Sequence, residues 1–202
     1  RDVKYDKISA GALTNILAEV TSEDVNMDAV KLEKAPKVAV YSPKNKQPWD
    51  DAVTLVLTYA EIPYDVVYDG EVLDDSLTKY DWLHLHHEDF TGQYGKFYAS
   101  FHSQQWYQDQ VEESEALAKR YGYSKVSQLK LAVVNKIQGF CKQGGFVFAM
   151  CSATDSYDIA LAAATTDICD YMFDGDPQAP DAQQKLDFTQ TLAFEDFTLI
   201  KD

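Results

Sequence analysis

The stretch Phe146-Val-Phe-Ala-Met-Cys-Ser-Ala-Thr-Asp-Ser156 carries the sharpest chemical signal in the sequence. A short apolar run ends at Met150, Cys151 follows at once, and a small-residue helical pattern runs from Thr154 to Ala164. A strand that turns straight into a helix lifts the intervening side chain above the sheet and aims the first helical N–H groups at it. The positive helix end would favour thiolate at Cys151, and the Ser152 N–H could serve as an oxyanion donor, with Asp155 at the same strand end. This is the geometry of a nucleophile elbow, with Ala149 and Ala153 where that turn usually carries glycines. The competing reading is a cysteine that only packs, or a capping turn built on Ser152 or Thr154.

A second constellation is His84-Leu-His-His-Glu-Asp89, which holds three of the four histidines of the chain. Strand alternation puts His84 and His86 on one face and His87 on the other. His86 or His87 could act as a base toward Cys151, and Glu88 lies where a neighbouring backbone N–H could join the oxyanion site. Gly92 and Gly95 could form a loop whose backbone approaches a ligand. His84, deep in a strand, reads as a hydrogen-bonded structural histidine. A metal site at His86, His87 and Glu88 is a third, weaker reading, because the spacing matches no standard zinc pattern; no metal and no cofactor is expected. The carboxylates of Asp174-Gly-Asp-Pro-Gln-Ala-Pro-Asp181 lack the spacing of a calcium loop and read as a solvated acidic turn. Cys141 reads as core, Cys169 is uninformative, and His102 shows no partner.

Elements must hold these groups in place. Lys37–Tyr41, Tyr64–Tyr68, Tyr80–His86 and Gly145–Met150 read as strands. Pro48 opens a helix that carries Ala52, Val53, Val56, Leu57 and Ala60 on one face. Residues 96–120 read as one long polar helix and 127–142 as another, stopped by Gly144 and Gly145. Leu186 to Ile200 reads as two short paired strands. Strands alternating with helices imply a parallel sheet covered on both faces, and ligand sites in such sheets gather at the carboxyl ends of the strands. Residues 1–36 read as an N-terminal appendage and linker, with a short amphipathic helix over Ile8–Val20. Residues 37–202 read as the α/β domain, which could continue beyond the given chain.

The chain of 202 residues carries a net charge of -15. That charge argues against nucleic acid and anionic membrane as partners, since phosphates would be repelled, and favours a small-molecule ligand or substrate. No run of about 18 apolar residues offers a transmembrane segment. Three cysteines cannot form a complete disulfide framework. The aromatics of residues 97–107 (Phe97, Tyr98, Phe101, Trp106 and Tyr107) make that stretch a candidate protein-partner surface.

The element order and the Met150-Cys151-Ser152 turn resemble the class I glutamine amidotransferase-like superfamily. The strings Lys46-Gln-Pro-Trp-Asp-Asp51, Tyr80-Asp-Trp-Leu-His-Leu-His-His-Glu-Asp-Phe90 and Phe148-Ala-Met-Cys-Ser-Ala-Thr-Asp155 are similar to those of uncharacterised Bacteroidetes proteins that carry an asparagine-synthetase-B label. The resemblance covers about Lys37 onward. It implies a flavodoxin-like three-layer sandwich with a mostly parallel sheet, Cys151 at the nucleophile position, and a cysteine-dependent hydrolase or amidotransferase-like activity on a small amide or related carbonyl. It also implies an exported protein, which a processed start at Arg1 would suit. In the superfamily the cysteine pairs with a histidine later in the chain, and here no histidine follows Cys151. His86 or His87 then substitutes as base, or the domain binds a ligand or assembles without catalysis.

Overall fold

The structure is a computed structural model that describes residues 7–20, 22, 35–44, 52–94 and 98–200. The Pro48 helix start, Gly95 and Phe97 lie outside those residues. The chain divides into two units, Arg1–Ala35 and Pro36–Asp202. In the first, helix α1 (Ala10–Val20) buries none of its residues. Its first turn is closed by Ser9 Oγ, which accepts from the Ala12 N–H at 3.1 Å.

The second unit is α/β. Strands β1 (Val38–Tyr41), β2 (Tyr64–Val67), β3 (Trp82–Leu85) and β4 (Phe146–Ala149) form one all-parallel sheet in the order β2-β1-β3-β4. The register runs Val38 to Tyr64, Val38 to Trp82 and Trp82 to Phe146. Alternation along each strand splits the apolar residues between the two faces. Ala39, Tyr41, Leu83 and Leu85 point to one side and pack with Val133, Val134 and Ile137 of α6 (Val126–Lys142) and Leu161 of α7 (Ala153–Ala162). Val38, Val40 and Trp82 point to the other and meet Leu57 and Val53 of α2 (Ala52–Tyr59). Burying one apolar stripe from each layer is what makes the three layers cohere. Coverage of the second face is incomplete: Phe146 and Phe148 on β4 and Val56 on α2 are exposed, so Val56 does not share the buried face that helical spacing assigns to it.

Several further expectations need correction. The stretch 96–120 is not one helix. Helix α4 (Tyr98–Phe101) ends in a turn, and α5 (Gln105–Arg120) starts anew after Gln104. Of the aromatic residues at that break, Tyr107 is buried and Tyr98, Phe101 and Trp106 are half-buried, with Tyr98 lying against Phe173 and Tyr107. His102 does have partners, its ring stacking on Tyr98 and its Nδ1 lying 2.9 Å from the Tyr98 carbonyl.

Leu186–Ile200 forms no strand pair. It runs as a 3-10 turn at Phe188–Gln190 and irregular chain. Side chains meet the backbone groups that a hairpin would pair. The buried Asp158 carboxylate of α7 accepts the N–H groups of Leu192, Ala193 and Phe194, each at 2.8 Å. The Gln183 amide donates to the Phe197 carbonyl and accepts from the Leu199 N–H. A segment satisfied this way has no need of a neighbouring strand.

Cys141 is half-buried on α6, although its neighbours Ile137 and Phe140 are core.

Candidate functional site

The chain passes from β1 outward to β2 and then crosses back to β3 on the other side of β1. That reversal opens a crevice at the carboxyl ends of the strands, where parallel α/β sheets bind ligands. A cavity of about 600 Å³ lies there. Its lining comes from residues just past each strand: Pro43 after β1, Tyr68 after β2, His87 to Tyr94 except Phe90 after β3, and Ser152, Asp155 and Ser156 after β4. Tyr107, Gln110 and Ser114 of α5 close one side, and Phe194 to Ile200 another, except Asp196. The Asp158 clamp therefore holds one wall of the cavity in place.

The expected site residues fall into two groups. His87, Glu88, Gly92, Ser152 and Asp155 all line the cavity. Cys151 and His86 do not line it, though each is the chain neighbour of a residue that does. Cys151 is exposed and its φ is +53°, left-handed backbone that a non-glycine residue adopts only at some cost. The turn is locked on both sides. Thr154 Oγ1 donates to the Cys151 carbonyl at 2.6 Å, and Ser152 Oγ donates to the His87 carbonyl at 2.7 Å. Ser156 Oγ donates to the Glu88 carbonyl and accepts from the Phe90 N–H. The start of α7 is thus stitched to the loop after β3, which brings the two sequence constellations together.

The histidines depart from strand alternation. Because β3 ends at Leu85, His86 and His87 are no longer held to opposite faces, and their Nδ1 atoms meet at 2.9 Å. One must carry the proton and the other accept it, so the two rings hold complementary tautomers. On its other side, His87 Nε2 lies 3.8 Å from Oε1 of the buried Glu88. His84 is buried and stacks on Phe148, with ring centroids 5.6 Å apart. Gly92 has φ +82°, and a Cβ there would come within 2.7 Å of the Ser127 backbone. Only glycine lets the loop after β3 sit against the start of α6.

Sequence reasoning missed the buried lysine that lines this cavity. Lys130 of α6 is buried, and its ammonium lies 2.9 and 3.0 Å from the two oxygens of the fully buried Asp69. It also donates to the Tyr41 hydroxyl at 3.0 Å and the Tyr68 hydroxyl at 3.3 Å, and it sits over the Tyr68 ring. Tyr41 in turn donates to Asp69. Burial, then the charge of Asp69, hold the Tyr41 hydroxyl well above its ordinary pKa; burial, then Glu88, do the same for Tyr68. Both phenols therefore stay protonated. A lysine in the apolar half of an amphipathic helix, three residues before Val133, was the available signal.

Among the described residues, the one group of ligand-type atoms that could hold a metal is Asp167, Cys169 and Asp174, away from the histidines. The Lys125 ammonium already occupies it, 2.6 Å from Asp167 and 3.0 Å from Asp174, and it pairs with Asp176 as well. Asp174 and Asp176 are thus ion-paired, not simply solvated as the turn composition suggests. Among the described residues no helix is long and apolar enough to cross a membrane. No protein-family model, curated protein or solved structure matches this chain.

Proposed function

We propose that the protein is a cysteine-dependent hydrolase or amidotransferase-like enzyme of flavodoxin-like fold, acting on a small amide or related carbonyl. The observation that carries this reading is the left-handed, exposed Cys151 on the turn between β4 and α7, directly before the cavity residue Ser152. Strained backbone retained by surrounding hydrogen bonds is a mark of a functional turn.

In this mechanism the Cys151 thiol gives its proton to the His86–His87 pair and its sulfur attacks the carbonyl carbon. The Ser152 N–H and a backbone N–H near Glu88 hold the oxyanion. The imidazolium returns the proton to the amide nitrogen, which leaves as ammonia or an amine, and a thioester remains. Water, deprotonated by the imidazole, then attacks the thioester carbon and releases the acid and the thiol. Glu88 beside His87 stabilises the imidazolium that forms in between.

The test is release of ammonia from simple carboxamides by the intact protein. Activity that disappears in Cys151→Ser and falls steeply in His87→Gln supports the enzyme, together with thiol labelling whose pH midpoint lies below about 8.5. Activity that survives Cys151→Ser ends the reading. A second reading, a non-catalytic domain that binds a ligand in the same cavity, is favoured by one observation: the Cys151 side chain is not part of the cavity lining.

A further inference from the structure

The sheet ends at β4 with an open edge. Parallel strands pair through alternate residues, each turning its N–H and C=O to the same neighbour. The Phe146 and Met150 N–H groups donate to the carbonyls of Asp81 and Leu85 on the β3 side. Val147 and Ala149 therefore turn their N–H and C=O groups away from β3, and among the described residues no hydrogen bond engages those four groups. Edge strands are commonly blunted by lysine, proline or a bulge. Here residues 143–154 carry no charge and no proline, and the register of β4 with β3 is unbroken. The side chains beside the edge are apolar as well: Phe146 is 56% exposed, Phe148 45% and Met150 40%. Phe146 and Phe148 stand on the sheet face that α2 covers only in part.

An extended strand is what satisfies such an edge, and the spacing of the free groups selects the strand. Val147 and Ala149 lie symmetrically about Phe148. A second β4 laid antiparallel, with a twofold axis at Phe148, sets Val147 opposite Ala149 of the second copy and Ala149 opposite its Val147. Each is a hydrogen-bonded pair that exchanges two bonds, so all four free groups of each strand are taken up. The same register brings Phe148 against Phe148 as a non-hydrogen-bonded pair, whose side chains lie closest, and Phe146 against Met150 of the second copy, all on one face. Neither strand is charged, so no like charges meet along the edge although each chain carries a net charge of -15. The three exposed side chains offer roughly 300 Å² per copy. With the strand backbones, two copies bury about 1,000 Å², at the small end of specific interfaces.

We infer that the protein self-associates through β4, joining two sheets into one continuous sheet across a twofold axis at Phe148. The contact is isologous, the same edge serving both copies. It is independent of the chemistry proposed for Cys151.

Sedimentation velocity of the full chain over a concentration series tests this. A monomer–dimer equilibrium in the micromolar range is expected, tightening as salt screens the net charge. Phe148→Lys sets two ammonium groups opposite each other on the axis and should weaken the dimer about tenfold or more. Val147→Pro removes an N–H that β3 does not use, so it should weaken the dimer while circular dichroism stays that of the parent. The register is read by cross-linking in a Cys151→Ser background. Phe148→Cys should form an intermolecular disulfide on mild oxidation, because facing Cα atoms in such a pair lie about 4.5 Å apart, and Phe146→Cys should not. A chain that stays monomeric, or a dimer unchanged in Phe148→Lys and Val147→Pro, overturns the inference. So does linking through Phe146→Cys in place of Phe148→Cys. If the chain stays monomeric and an added uncharged β-strand peptide protects the Val147 and Ala149 amides from hydrogen exchange, the edge serves a foreign strand and self-association is refuted.

Discussion

Ser152 Oγ donates a 2.7 Å hydrogen bond to the carbonyl of His87, tying the turn after β4 to the turn after β3. Cys151 precedes one partner and the other belongs to the proposed base, so this bond, with those of Ser156 to the Glu88 carbonyl and the Phe90 N–H, sets the relation between proposed nucleophile and proposed base. Ser152→Ala should therefore cost little stability, about 1 kcal/mol for one hydrogen bond. It should lower the rate of any Cys151-dependent reaction by far more than that loss of stability would suggest. Denaturant unfolding measured beside ammonia release separates the two; parallel small losses would show that the bond is only structural.

The positive φ of Cys151 makes a second prediction. Left-handed backbone disfavours any side chain with a Cβ by about 1 kcal/mol or more. Cys151→Gly should thus be at least as stable as Cys151→Ala, against the usual penalty for glycine. A glycine variant clearly less stable than the alanine variant would mean that the turn relaxes in solution.

The parallel sheet, the order of its elements and the two chemical constellations were legible because each rests on local pattern. Val38–Tyr41 and Trp82–Leu85 are short apolar runs, and helix α6 begins within one residue of the predicted start. What was illegible depends on partners distant in sequence. Asp158 looks like one more helical acid until it meets the N–H groups of residues 192–194, and without that meeting Leu186–Ile200 reads as strands. Lys130 and Asp69 lie 61 positions apart, and only the fold shows that they share a charge. His86 and His87 were misplaced for a simpler reason, since strand alternation stops where the strand stops.

Lys130 and Asp69 should be strongly coupled. Each is buried, and removing one leaves the other charged group without its main partner. Lys130→Met or Asp69→Leu alone should each cost about 3–5 kcal/mol. The double variant should cost clearly less than the sum. A double-mutant cycle by urea unfolding measures this; additive losses would refute the coupling.

Asp158 should act as the pin of a cavity wall. Its carboxylate is the acceptor for three successive backbone N–H groups, and the chain they belong to continues directly into the lining residues Phe197 and Leu199. Asp158→Asn should lower stability by about 1.5–3 kcal/mol. It should also speed hydrogen exchange at Leu192, Ala193 and Phe194 selectively. Unchanged exchange at those amides would mean that the segment is held by other contacts.

Cys169 sets a pH dependence. It is buried, and its thiol donates to the Thr91 carbonyl at 3.2 Å. Burial, reinforced by Asp174 and Asp167, pushes its pKa from 9.0 up to about 12. In the window between those two values the folded chain keeps a proton that the unfolded chain releases, so this residue makes stability fall as pH rises. Cys169→Ala should flatten that part of the stability curve while leaving the slope near neutral pH unchanged. The same burial should make Cys169 the last thiol to react with a labelling reagent at mildly alkaline pH, after the exposed Cys151. Peptide mapping of the labelled protein reads the order, and early modification of Cys169 would show that the loop carrying it opens in solution.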